Sequence, residues 1–140
     1  MARVVAESLE GKRVVFTARG RSFVNVRESL PDGPIGYSSI ELLLIALSNC
    51  SLGVLMGHDL LKDVPIKSLK IAMDSQGESN PSRVTKIIAT VDLEVDDSKL
   101  AERRETLQRV IDNCPVGNTL RFSPEVTLEL RIHTPEAALK

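Results

Sequence analysis

The chain has 140 residues, 42% of them hydrophobic and 26% charged, with a formal net charge of −1 at pH 7. That length suits one domain with a core of its own, and the even charge balance provides neither a basic field for nucleic acid nor an acidic tail. One Tyr, three Phe and no Trp leave no aromatic platform for stacking bases, so no nucleic-acid partner is expected.

The first ten residues, MARVVAESLE, interleave charges with apolar residues. They lack the apolar core and cleavage site of a signal peptide. Residues 2–9, 13–18 and 22–28 read as short strands, because Val4, Val5, Val14, Val15, Phe16, Phe23, Val24 and Val26 supply β-branched and aromatic content. Glu10-Gly11-Lys12 and Gly20 mark the turns between them, and residues 30–36 (LPDGPIG) read as a loop.

Residues 38–62, SSIELLLIALSNCSLGVLMGHDLLK, predict the central helix. Ser38-x-x-Glu41 is a capping box, in which each residue's side chain satisfies the other's backbone N–H. Pro65 excludes continuation and restricts Val64, so the helix is expected to end near Lys62. Only sixteen residues separate Glu41 from His58, and Ser48, Asn49 and Ser51 interrupt them. A bilayer span takes about 20 apolar residues, so a core helix is expected and no membrane partner. A helix apolar around most of its circumference must be enclosed on most sides.

Residues 66–75 alternate Leu69, Ile71 and Met73 against Lys70, Ala72 and Asp74. Residues 83–95 alternate Ile87, Ala89, Val91, Leu93 and Val95 against Lys86, Thr90, Asp92 and Glu94. With a turn at residues 76–82 the two predict an antiparallel hairpin with one wet face. A second helix starts at Asp97 or Ser98, buries a stripe of Leu100, Leu107, Val110, Ile111 and Cys114, and is interrupted by Pro115. Residues 116–121 allow another short helical turn, and residues 125–133 alternate as a last strand. The order predicts an α+β fold, a curved antiparallel sheet with helices packed on it, as one domain over residues 1–140. One small sheet cannot cover so apolar a helix, so a homodimer is expected.

The chain has two cysteines. With no export signal, they are expected as reduced thiols in the cytoplasm. Cys50 shares a helix face with Leu43, Ala46, Leu47, Gly53, Val54 and Gly57. Its residue-level reading is open: a small buried hydrophobe, or a thiol that something approaches across the two glycines, which cost roughly 1 kcal/mol each in a helix. Cys114 reads equally as core or as the cap of a helical turn beginning at Pro115, where a thiolate is favoured. His58 follows on the same helix, but no C-x₂₋₄-C pair accompanies it, so no metal site is expected. There is no G-x-S-x-G, phosphate-binding glycine loop or H-E-x-x-H, and no cofactor is expected.

Glu41-Leu42-Leu43-Leu44-x-Ala46-Leu47-x-x-Cys50, followed 64 residues later by Cys114-Pro115-Val116-x-Asn118-x-Leu120, resembles the OsmC/Ohr family of osmotically inducible and organic hydroperoxide resistance proteins. It is more similar to the general OsmC-like branch, because Ile40 stands where the peroxide-resistance branch has a glutamate. The resemblance implies an intertwined homodimer with its sites at the subunit interface. It further implies a thiol peroxidase for organic hydroperoxides or hydrogen peroxide, in oxidative or osmotic stress defence. Cys50 would attack the peroxide and become a sulfenic acid, Cys114 would condense with it to a disulfide, and a dithiol reductant would restore both. A hairpin arginine would stabilise the Cys50 thiolate. Arg13 is the best positional match, with Arg19 and Arg21 at the next turn. Glu41 is either that arginine's carboxylate partner or a helix cap. The alternative function is a non-catalytic OsmC-like dimer that binds a small apolar ligand or serves as an interaction module.

Overall fold

A computed structural model describes residues 1–27, 29–30, 33–34 and 36–135. Glu28, Pro31, Asp32 and Ile35, from the expected strand end and loop, lie outside the described residues. Three strands open the chain: β1 (Val5–Leu9), β2 (Arg13–Ala18) and β3 (Arg21–Val26). They pair antiparallel in the order β1-β2-β3. Gly11 and Gly20 take φ of 71° and 75° at the two turns, a region that costs a glycine little. Phe16 sits opposite Phe23, with ring centroids 5.1 Å apart, a pairing that fixes register from one face. The expected loop contains a minimal antiparallel pair, β4 (Ser29–Leu30) with β5 (Gly33–Pro34).

The connection to the helix is pinned at its far end. Asn25, 4% exposed, donates from Nδ2 to the Tyr37 carbonyl at 2.9 Å and accepts the Tyr37 N–H at Oδ1 at 2.8 Å. Gly36 makes this approach possible. A Cβ there would lie 2.2 Å from the Val26 carbonyl oxygen.

Helix α1 spans Ser39–Met56 with the full Ser38/Glu41 capping box, and ends at Gly57 rather than near Lys62. A short 3₁₀ turn, Asp59–Leu61, follows, and the His58 side chain caps it by accepting the Leu60 N–H. The helix therefore stops where glycine lowers helix propensity and His58 offers the backbone a competing partner. By length and composition α1 would be able to cross a membrane; it packs against later elements of the fold, but only Ser51 and Leu55 along it are buried, so the enclosure expected of a core helix is not provided by this chain.

Strands β6 (Ile66–Ser79) and β7 (Ser82–Val95) form a long antiparallel hairpin. Leu69 faces Leu93 and Ile71 faces Val91, so the apolar faces meet as the alternation requires. The expected second helix is divided into α2 (Ser98–Ala101) and α3 (Arg104–Asp112), because the backbone leaves helical geometry at Arg103 (φ −99°, ψ 13°). Helix α4 spans Pro115–Arg121. Helix α1 packs on α3, α4 and β6. Leu55, Leu61 and Leu100 are buried between them against Leu69, Val91, Leu93, Leu107 and Ile111.

The architecture is α+β. One expectation fails: residues 125–133 form no strand. Alternation selects which residues share a face, but a strand exists only when a neighbour completes its ladder, and none among the described residues does so. Val126, Leu128, Leu130 and Ile132 are consequently 75–93% exposed. The whole chain exposes 11809 Å², whereas a compact monomer of 15.3 kDa exposes about 7,100 Å².

Candidate active site

Cys50 and Ser51 project from α1, and Cys114 is the N-cap of α4. Pro115 occupies the first helical position, where its missing N–H costs nothing and its fixed φ favours the helix. The N–H groups of the first turn are left free for sulfur. Gly117 donates its N–H to Cys114 Sγ at 3.3 Å, and Val116 donates its N–H to Cys50 Sγ at 3.5 Å. Ser51 Oγ lies 3.7 Å from Cys114 Sγ. Cys50 and Cys114 are close enough to influence each other's ionisation, and both are free thiols. Two cysteines separated by 64 residues are thus brought to one point by the packing of α4 on α1.

The two sulfurs are unequal. Burial pushes the Cys50 thiol up, and the hydrogen bond and charge of Cys114 raise it further; the Val116 N–H offsets this only in part. Burial also pushes Cys114 up, but the Gly117 N–H, the Ser51 hydroxyl, the Cys50 thiol and the Arg121 charge outweigh it, and Cys114 ends below the ordinary thiol range. The direction follows from the partners. Cys114 has donors on several sides and a cation nearby, each favouring the charged form. Of the two sulfurs, Cys114 is therefore the more readily deprotonated.

Cys114 is 1% exposed, whereas Cys50 is half-buried. Gly117 sits tightly among these groups. A Cβ on it would lie 3.0 Å from Cys114 Sγ and 3.7 Å from Arg121 Nη1. Arg121 is held in place by donating from Nη1 to the Asp112 carbonyl. A groove of about 850 Å³ runs between α1, α4 and the β6–β7 hairpin. Ser51, Cys114 and Arg121 line it beside apolar Leu43, Leu47 and Met73.

The other expected site residues lie elsewhere. Arg13 turns back on its own hairpin, donating from Nε to the Glu10 carbonyl at 2.8 Å. Arg19 sits in the second turn with φ of 51°, and Arg21 opens β3. None of these three arginines is among the groups acting on either sulfur. Glu41 accepts the Ser38 N–H at 2.7 Å and stands about 13 Å of helix rise before Cys50. Among the described residues, no cluster of His, Cys, Asp or Glu could hold a metal ion.

Sequence reasoning missed Ser51, Gly117 and Arg121. A faint signal was present for two of them. Ser51 follows Cys50 by one residue, hence about 100° around α1, and Arg121 follows Cys114 by seven, two turns along one face.

A family model described as OsmC-like protein matches residues 31–129. Among curated proteins, none matches the chain. Solved structures do. An OsmC-like protein from Mycoplasma pneumoniae is 18% identical, with a TM-score of 0.72 over 88% of this chain and 89% of that one. A putative osmotic stress induced and detoxification response protein from Psychrobacter arcticus 273-4 is 15% identical, with a TM-score of 0.65 over 85% and 88%. The organic hydroperoxide resistance protein OhrB of Bacillus subtilis is 19% identical, with a TM-score of 0.54 over 94% and 98%. At such identities the structural likeness speaks for the fold.

Proposed function

The chain belongs to the OsmC-like protein family, and from that premise we propose that it is a cysteine-based hydroperoxide reductase with Cys50 and Cys114 as its redox pair. The observation that carries this reading is the meeting of the two thiols at the α1–α4 contact, where both sulfurs accept N–H groups from the first turn of α4. A role in peroxide defence fits the family and its hydroperoxide-resistance relative.

In the family's order Cys50 attacks first. Cys50 gives up its proton to solvent, and its thiolate attacks the terminal peroxide oxygen. The O–O bond breaks, the alkoxide takes a proton and leaves as an alcohol, and Cys50 becomes a sulfenic acid. The Cys114 sulfur then attacks Cys50 Sγ. The S–O bond breaks, hydroxide leaves with a proton as water, and a disulfide joins the two. A dithiol reductant closes the cycle by taking the oxidation onto its own sulfurs. Reduced thiols suit a cytoplasmic protein.

The same reading includes a homodimer. Its support is the excess exposed surface, the apolar residues Ile45 and Met56 exposed on α1, and the unpaired alternating segment after α4. In that assembly the first hairpin of one copy supplies Arg13 to Cys50 of the other, while Glu41 stays on its cap. A second reading, a non-catalytic dimer that binds a small apolar ligand, draws on the groove beside Cys114.

The test is hydroperoxide consumption with dihydrolipoamide as donor, using alkyl hydroperoxides and hydrogen peroxide. Wild type is expected to turn over. Cys50→Ser is expected to be inert, and Cys114→Ser to form a trappable sulfenate without turnover. Equal inertness of wild type and Cys50→Ser, with an apolar probe still bound in the groove, would favour the second reading.

A further inference from the structure

The surroundings of the two sulfurs differ in ways the peroxide half of the cycle does not use. Cys114 Sγ is enclosed, accepts the Gly117 N–H, lies within hydrogen-bond reach of the Ser51 hydroxyl, and is near the Arg121 guanidinium. Cys50 Sγ is half-buried and receives one long N–H contact from Val116. In thiol–disulfide exchange the attacked sulfur must be reachable, and the departing sulfur must carry the electron pair of the broken bond. Reach favours Cys50 as the attacked atom, and charge stabilisation favours Cys114 as the departing one.

We infer that reduction of the Cys50–Cys114 disulfide is directional: the reductant attacks Cys50 and Cys114 departs, with Ser51 and Arg121 as positioning residues for the departing sulfur. The inference rests on the proposed reading in that it requires the two thiols to form a disulfide. One thiolate of the reductant attacks Cys50 Sγ. A mixed disulfide forms, the Cys50–Cys114 bond breaks, and its electron pair stays on Cys114 as thiolate. The second thiolate of the reductant attacks the reductant sulfur in the mixed disulfide and closes the reductant's own disulfide. Cys50 leaves and takes a proton. Two electrons have passed from reductant to protein. Gly117 has a part in this arrangement, since a side chain there would enter the space between Cys114 Sγ and Arg121.

The experiment uses full-length protein oxidised by diamide, which links neighbouring thiols without requiring peroxidase activity. The oxidised protein meets 2-mercaptoethanol in a single turnover, is quenched in acid, and is alkylated and mapped by peptide mass. The expected product carries mercaptoethanol on Cys50 and the alkyl label on Cys114. Mercaptoethanol on Cys114, or evenly on both, would overturn the inference. Ser51→Ala and Arg121→Leu are expected to slow reduction of the diamide-formed disulfide, roughly threefold for each unit by which the Cys114 pKa rises. Arg121→Lys should recover most of the rate. Unchanged rates in both variants would also overturn it. Arg121→Leu also loses the tie to the Asp112 carbonyl, so the mapping and Ser51→Ala stand independently of that variant's folding. A protein inert toward peroxides whose diamide disulfide still opens toward Cys50 sinks the peroxidase reading alone. An active peroxidase with the adduct on Cys114 sinks the directional inference alone. Failure of diamide to link the two cysteines overturns both.

Discussion

The α1–α4 contact and the two ends of the chain stand in contrast. At the contact, two thiols, two backbone N–H donors, a hydroxyl and a guanidinium converge within one chain. At the ends, the chain leaves work undone. Val5, Phe23 and Val24 on the first sheet are 50–56% exposed, and the four apolar residues of the 125–133 segment are more exposed still. Burying such side chains stabilises by about 1.5–3 kcal/mol each, so a chain that leaves them in water forgoes a large contribution to its stability. The lesson is that the meeting of the two thiols is an intrachain feature, while these apolar faces are left uncovered by the chain itself.

That contrast can be broken at either side. The largest effect is expected from Leu128→Asp with Leu130→Asp. The pair should weaken self-association by at least about 3 kcal/mol, more than a hundredfold in dissociation constant, read by sedimentation equilibrium. The Cys50–Cys114 coupling should persist in the dissociated chain. Next is Gly36→Ala, which forces a Cβ onto the Val26 backbone and should cost more than Asn25→Ala. The latter removes two part-buried hydrogen bonds to the Tyr37 N–H and carbonyl, for about 1–3 kcal/mol together, measured by urea unfolding. Both act on the link between the first sheet and α1 and should leave thiol titration in place.

At the contact itself, thiolate absorbance near 240 nm should rise in two separated steps as pH increases. Cys114 ionises first, below the ordinary thiol range, and Cys50 second, above it. In Ser51→Ala the first step should move up. A lowered thiol pKa in the folded state also contributes stability above the unfolded thiol value, and that contribution is lost as pH falls through the folded value. The smallest expected effect is Ser38→Ala, about 1 kcal/mol from one helix cap, with both steps unmoved.

Local chemistry was legible in the sequence. Ser38-x-x-Glu41 announced its reciprocal cap, Cys114-Pro115 announced a helix start, and alternation placed Leu69 with Leu93 on one face. The α+β class followed from such patterns, and the family from the resemblance carried by the Glu41–Cys50 and Cys114–Leu120 segments. What depended on packing was not legible. The alternation at residues 125–133 could not say that no neighbour would pair with it. Helix α1 ended at Gly57 because Gly57 and His58 together outcompeted the apolar run toward Lys62. Arg13 matched a motif by position, yet its hydrogen bond turned it toward Glu10. Ser51 and Arg121 became visible only once the crossing of α4 over α1 was known, because neither carries a motif of its own. The inequality of the two thiols followed from the same crossing.

The central claim, that Cys50 and Cys114 are one redox pair, is tested most directly by adding one equivalent of an alkyl hydroperoxide to the reduced protein. Intact mass and alkylatable thiols are then measured. The account predicts loss of two hydrogens, disappearance of both free thiols, and a single cross-linked peptide joining Cys50 to Cys114. Retention of two alkylatable thiols with the hydroperoxide unconsumed would contradict it.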